Sequence, residues 1–231
     1  MKNLVVAFSV FLLPTAAQQT AQQAAGKKAP QTMTKMVVRL MGPGIKPGSF
    51  AALPKTIYRA GDQYSRIEDP PDARQHIQKL TIIVEPGAYS VNLTDRRGTH
   101  AIDQGGPNDL HLPIVLPFDS QHQLGKLDRL EFGAEYDLFE AAGAEKQAGP
   151  TINAKPTDAY QLQTPQGPAR LIVRAGAQTP IFLTWQTAEG TYKYEYISYE
   201  ELPFEASLFA KPAGIQWKEM RPDSNPASND R

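Results

Sequence analysis

"PIFLTWQTAEGTYKYEYISYEELP", Pro180 to Pro203, alternates its side chains along two runs separated by Ala188-Glu189-Gly190. In an extended strand successive side chains point to opposite faces, so Tyr192, Tyr194 and Tyr196 share one face and Lys193 and Glu195 take the other. Tyrosine and tryptophan pack well across paired strands, whereas lysine and glutamate seek water. The tyrosine face is therefore the buried or ligand-facing one. The turn between the runs is short, which pairs them antiparallel. An apolar plug comes next: Pro203 and Pro212 interrupt regular structure, and Phe204, Leu208 and Phe209 lie between them before Gly214. It is expected to tuck under the rim of the sheet and help close one end of a cavity.

The same period extends outward. Tyr160 to Thr164 and Ala169 to Arg174 precede these two runs, separated by short turns at Pro165-Gln166-Gly167 and Ala175 to Gln178. Upstream, Met36, Val38 and Leu40 alternate up to the Gly42-Pro43-Gly44 stop. Leu80, Ile82 and Val84 then share a face, Glu85-Pro86-Gly87 turns the chain, and Tyr89, Val91 and Leu93 resume before the turn at Asp95 to Gly98. Leu130, Phe132, Ala134, Tyr136 and Leu138 fit the two-residue period, and Leu127, Leu130, Ala134 and Leu138 also fit a helical stripe. Gly133 and the unbroken alternation favour a strand, preceded by a short helix around Ser120 to Asp128. So much strand with so little helix implies a mostly β protein: one curved antiparallel sheet that closes on itself or curls around a cavity.

The N-terminus has one cation at Lys2, an apolar run from Leu4 to Leu13 and small residues at Thr15, Ala16 and Ala17. This is the layout of a secretory signal peptide, and the run is too short for a permanent membrane anchor. The expected organisation is a signal peptide over 1–18, a flexible Gln-rich linker over 19–31, one domain over 32–221 and a disordered tail over 222–231. Export places the mature chain in the periplasm. Cysteine is absent, which excludes disulfides, thiol catalysis and a lipidated cysteine. The 24 basic and 24 acidic residues cancel, giving no electrostatic case for nucleic acid or an acidic membrane surface.

Catalytic signatures are lacking. His76, His100, His111 and His122 are scattered without the spacing that sets two metal ligands on one helical face, and no Gly-x-Ser-x-Gly elbow occurs. Gly105-Gly106 runs into Pro107 and opens no phosphate-binding helix. Glu131, Glu135 and Asp137 would share one strand face, which reads as a solvated exterior. The reading is a non-enzyme with no cofactor and no metal.

Two stretches together resemble the LolA/LolB-like superfamily of envelope proteins that carry lipoproteins and lipids. One is "TIYRAGDQYSRIEDPP", Thr56 to Pro71, followed by "LTIIVEPGAYSVNLTDRRGTHAIDQGG", Leu80 to Gly106. The other is Pro180 to Gly214, two strands and a Pro-rich segment with a Leu-Phe pair and a Pro-x-Gly. The resemblance implies a half-open β-barrel with short lid helices over an apolar cavity for acyl chains of a lipid or lipoprotein. It also implies an arginine on the second strand that holds the lid by hydrogen bonding to lid backbone. Arg59 is the nearest match, followed by Ala60 where carriers usually have proline, and Arg66 is a rival. Candidate cavity residues are Val38, Leu40, Leu80, Ile82, Val84, Tyr89, Val91, Leu93, Phe182, Tyr194 and Tyr196, with the inward face left open by strand parity. The alternative from another class is an envelope interaction module with the same fold, a protein partner and no transported ligand.

Overall fold

Two neighbouring residues of one strand, Ile57 and Tyr58, belong to two different hydrophobic cores, and the architecture follows from that division. A computed structural model describes residues 29–102, 112–114 and 125–220. The expected signal peptide, most of the linker, the tail, His111, His122 and Gly105-Gly106 lie outside the described residues.

The strands are β1 (Thr32–Met41), β2 (Lys55–Ala60), β3 (Tyr64–Glu68), β4 (Lys79–Val84), β5 (Gly87–Asn92), β6 (Arg97–Ile102), β7 (Glu145–Ala148), β8 (Thr157–Thr164), β9 (Gly167–Arg174), β10 (Pro180–Thr187), β11 (Gly190–Pro203) and β12 (Gln216–Met220). They form one open, curved twelve-stranded sheet in the order β12-β6-β5-β4-β3-β2-β1-β11-β10-β9-β8-β7. Every neighbouring pair is antiparallel except β12, which lies parallel to β6. The chain is mostly β, as its two-residue period implies. The two runs of Pro180 to Pro203 become β10 and β11, and β1 closes onto β11 to join the two halves of the meander.

Ladder register fixes which side chains share a face, because residues opposite one another project to the same side. Met36 lies opposite Ile57 and Tyr199, Val38 opposite Tyr196, and Leu183 opposite both Tyr194 and Leu171. These define the first face. Its core is Met36, Val38, Ile57, Leu171, Leu183, Trp185, Tyr194 and Tyr196, covered by the segment that carries Leu127, Leu130, Phe132 and Phe139. Tyr58, Arg66, Ile82, Tyr89 and His100 are opposite one another in turn across β2 to β6 and project to the second face. There Leu80, Ile82, Tyr89 and Val91 are covered by Phe204, Leu208, Phe209 and Ile215, after which Trp217 packs edge-on against Tyr89.

Three expectations are corrected. Leu130 to Leu138 is not a strand: the backbone passes through Gly133 at φ 81° and enters helix α1 (Glu135–Ala141). Leu130, Glu131 and Phe132 are buried consecutively, and Glu135 and Phe139 four residues apart, a spacing that belongs to a helix packed on a sheet. The helical stripe present in the sequence thus prevails, because one side of a short amphipathic helix buries more than an edge strand here could. For the same reason Glu131 and Glu135 do not lie on a solvated exterior; both are buried, and Asp137 alone of the three is exposed. Of the helix expected over Ser120 to Asp128, the described part is a single 3-10 turn at Gly125–Leu127.

The third correction concerns the apolar plug. Its 3-10 turn at Ala206–Phe209 lies on the second face, opposite the one covered by α1, so it seals the back of β2 to β5 rather than an end of an enclosed space. Gly98 lets the chain finish there: a Cβ at Gly98 would stand 2.8 Å from the Trp217 ring, so only glycine admits β12 beside β6. The two margins of the sheet are β7, EKQA, and β12, QWKEM, both short and charged.

Candidate functional site

On β2, Arg59 alternates with Tyr58 and Ala60, so its side chain leaves on the first face beside Ile57. Nη1 donates to Glu131 Oε2 at 2.7 Å and to the carbonyl oxygen of Phe132 at 3.0 Å. Its Nη2 also lies 3.7 Å from Asp62 Oδ1. Gly133 makes the approach feasible, because a Cβ there would meet Arg59 Cδ at 3.1 Å and Met36 Cε at 3.3 Å. The covering segment is thereby held to the sheet through its main chain just before α1 starts.

A second polar contact lies one helical step further on. Glu135 Oε1 accepts from the Tyr196 hydroxyl at 2.5 Å and from the Gly133 N–H at 2.9 Å. Burial pushes the Glu135 carboxyl up to about 7, against the opposing effects of these hydrogen bonds and of the Arg59 charge. Burial likewise raises the Tyr196 hydroxyl well above its ordinary value, and Tyr199 is pushed up to about 12, chiefly by burial.

Arg66, the rival in the sequence, does a parallel task on the second face. Its Nη1 donates to the Leu208 carbonyl at 2.7 Å while Nε pairs with Glu68 at 2.6 Å. Each covering segment is thus tied to the sheet by one arginine.

The candidate cavity residues separate in the same way. Val38, Tyr194 and Tyr196 are buried on the first face with Leu40 packed against them. Leu80, Ile82, Tyr89 and Val91 are buried on the second face with Val84 against them, under the chain's own C-terminal segment. Phe182 stands opposite Glu195, away from the tyrosines, with Lys193 Nζ 4.3 Å above its ring. Leu93 lies just beyond β5 and is 37% exposed.

Missing from those candidates is the first face of β3 to β6. Register places Ser65, Ile83, Ala88 and Ala101 in one cross-strand row continuing from Arg59, and Ile67, Thr81, Ser90 and Thr99 in the next, continuing from Ile57. Not one of these eight residues is charged, and apart from the buried Ser65 all are half-buried. Four strand spacings of about 4.8 Å make this strip about 19 Å long from β2 to β6. Ser65 Oγ is buried without a hydrogen-bond partner. The sequence signal for the strip is its lack of charge at alternate positions, which larger neighbours at Leu80, Ile82 and Tyr89 mask.

Elsewhere, a cleft of about 500 Å³ opens where β11 runs on past the start of β10, lined by Ile197, Tyr199, Arg174 and Pro156 among others. His100 stacks on Tyr89 and bonds Glu219 at 2.7 Å. Among the described residues no group of acids and histidines could hold a metal ion, and no helix is long and apolar enough to cross a membrane.

The described fold is thus an open sheet with a helix-bearing segment latched over one face. Among solved structures the chain is similar to an uncharacterized conserved protein from Thermus thermophilus, at 9% identity and a TM-score of 0.47 over 89% of this chain and 100% of that one. It is also similar to a chain of the MucA/MucB complex of Pseudomonas aeruginosa, at 12% identity and a TM-score of 0.39 over 78% of this chain and 56% of that one. A LolA superfamily protein from Nitrosomonas europaea matches at 10% identity and a TM-score of 0.32 over 86% and 99% of the two chains. No protein-family model and no curated protein matches the chain.

Proposed function

We propose that this chain is an exported, non-catalytic binding protein that carries a long apolar chain, of the kind found in lipids and lipoproteins, along the first face of β3 to β6. The observation that supports it is the uncharged strip: two rows of four residues, bounded at one end by the Arg59 latch, with no charged side chain between. An exposed apolar patch rimmed by polar residues is a usual mark of a binding site, and Ile67, Ile83, Ala88 and Ala101 make half of this strip apolar. Each methylene buried contributes roughly 0.8 kcal/mol, so a dozen-carbon chain gains on the order of 10 kcal/mol before association costs. The interior under α1 is filled by Trp185, Leu183 and Phe139; the strip beside it is where a ligand lies without displacing the core.

The experiment is titration of a fluorescent palmitoyl probe into the purified mature chain and into two variants. Ile83→Arg places a charge in the strip and weakens binding about tenfold or more, about 1.4 kcal/mol, with an unchanged melting temperature. Leu93→Arg, outside the strip, binds as the parent does. A parent chain that takes up no probe and copurifies with one stoichiometric protein partner overturns the carrier reading in favour of an interaction module.

A further inference from the structure

The strip is not symmetrical, and its asymmetry bears on the chemical class of its occupant. Along β4, β5 and β6 the next position on the same face is Lys79, opposite Asn92, which is opposite Arg97. On β12, Lys218 lies beside Thr99 and so projects to that face as well, at the far end from Arg59. Lys79, Arg97 and Lys218 are exposed. None has a side-chain hydrogen bond or ion pair among the described residues, whereas Lys55 at the near end of that row is paired with Asp69 at 2.7 Å. Neighbouring acids are committed: Asp69 to Lys55, Asp72 to the backbone N–H groups of Arg74 and Gln75, and Asp95 to the Arg97 backbone N–H at 3.1 Å. Glu219 projects to the opposite face and bonds His100. The far side of an uncharged strip therefore holds three cations, and the acid in their row, Asp69 beside Lys79, is already paired with Lys55.

We propose that the ligand is an anionic amphiphile, its carboxylate or phosphate head held by Lys79, Arg97 and Lys218 along the margin that runs from β4 to β12 and its tail lying over Thr99, Ser90 and Thr81 toward Ile57. The inference rests on the strip being the acyl-binding face and adds the sign of the head and its position. Lysine and arginine reach an oxyanion as point charge and as fork, respectively. At exposed positions each contact is modest and screened by salt. The head therefore supplies orientation and selectivity, and the tail supplies most of the affinity.

The test compares palmitate, hexadecyl phosphate and hexadecanol as competitors of a neutral fluorescent acyl probe, at low and high salt, on the parent chain and on a K79Q/R97Q/K218Q variant. The expected result is that both anions compete about tenfold better than the alcohol at low salt, the sum of three exposed charge contacts. That preference shrinks at high salt and vanishes in the variant, which still binds the alcohol as the parent does. Equal competition by all three on the parent chain overturns the inference and leaves the strip intact as a binding face. Failure of all three, with no probe bound, removes the strip reading itself. Inorganic phosphate is the remaining arm: if it displaces hexadecyl phosphate at equal concentration, the margin is a free-anion site and the amphiphile assignment is wrong. A variant that loses the alcohol as well, with an unchanged melting temperature, places the three side chains under the tail and also overturns the assignment.

Discussion

Arg59 and Arg66 stand on adjacent strands within one residue of facing each other, Arg59 opposite Ser65 and Arg66 opposite Tyr58, and they act in opposite directions. Arg59 donates to the Phe132 carbonyl on one face of the sheet and Arg66 to the Leu208 carbonyl on the other. A charge-assisted bond to a partly buried carbonyl contributes about 1.5–3 kcal/mol. In each case that energy restrains a covering segment rather than the sheet.

Arg59→Ala is expected to speed amide hydrogen exchange in 132–144 and leave 204–217 as in the parent, and Arg66→Ala to do the reverse. Exchange measured by mass spectrometry on peptides from both segments checks this. Equal acceleration in both segments by either variant would falsify the assignment of one latch to each face.

The division of the core carries its own prediction. Ile57 and Ile82 are both fully buried, on opposite faces. Ile57→Val and Ile82→Val should each cost about 0.5–1.5 kcal/mol. With no shared packing partners the double variant should match their sum within about 0.5 kcal/mol. Urea unfolding curves of the four proteins settle it; a coupling larger than that means the two clusters pack as one.

Glu135 gives the stability a pH dependence of defined sign. Its folded value, about 7, lies above the ordinary 4.5, so the folded state holds the proton more tightly than the unfolded one. The favourable contribution is complete below pH 4.5 and is lost as pH rises through 7. A shift of this size corresponds to about 3 kcal/mol. The parent should therefore melt lower at about pH 8 than at about pH 5.5 by an amount that Glu135→Gln removes, since the amide keeps an oxygen to accept from Tyr196 and the Gly133 N–H. Identical melting profiles of the two proteins across that range would sink the prediction.

Period two makes β1, β4, β5 and β8 to β11 legible, because in each the large apolar residues alternate with polar ones. β3 and β6 are not marked by that pattern: "YSRIE" and "RGTHAI" carry charged or small residues on both faces, and their place in the sheet comes from their neighbours. β7 and β12 are exposed margins with little to bury. Leu130 to Leu138 satisfies both periods, and only a sheet surface waiting to be covered decides for the helix. Alternation does group Leu80, Ile82, Val84, Tyr89 and Val91 on one face, as the register has them. Which face is left for a ligand depends on where Phe204 to Ile215, more than a hundred residues downstream, come to rest. That is a tertiary fact with no local signature. Burial of Glu131 and Glu135 is hidden likewise, since their partners Arg59 and Tyr196 come from strands far away in sequence.

The last eighteen or so described residues perform two services at once. Phe204 to Ile215 shield the apolar back of β2 to β5, and β12 then occupies the hydrogen-bonding margin of β6 with a strand whose own outer margin bears Lys218 and Glu219. β7, with Glu145 and Lys146, guards the other margin in the same manner. Charged, short edge strands resist pairing with another molecule. The stretch that completes the fold is thus also what keeps each molecule from templating the next, so a chain cut short near Leu202 would lose solubility along with its second core.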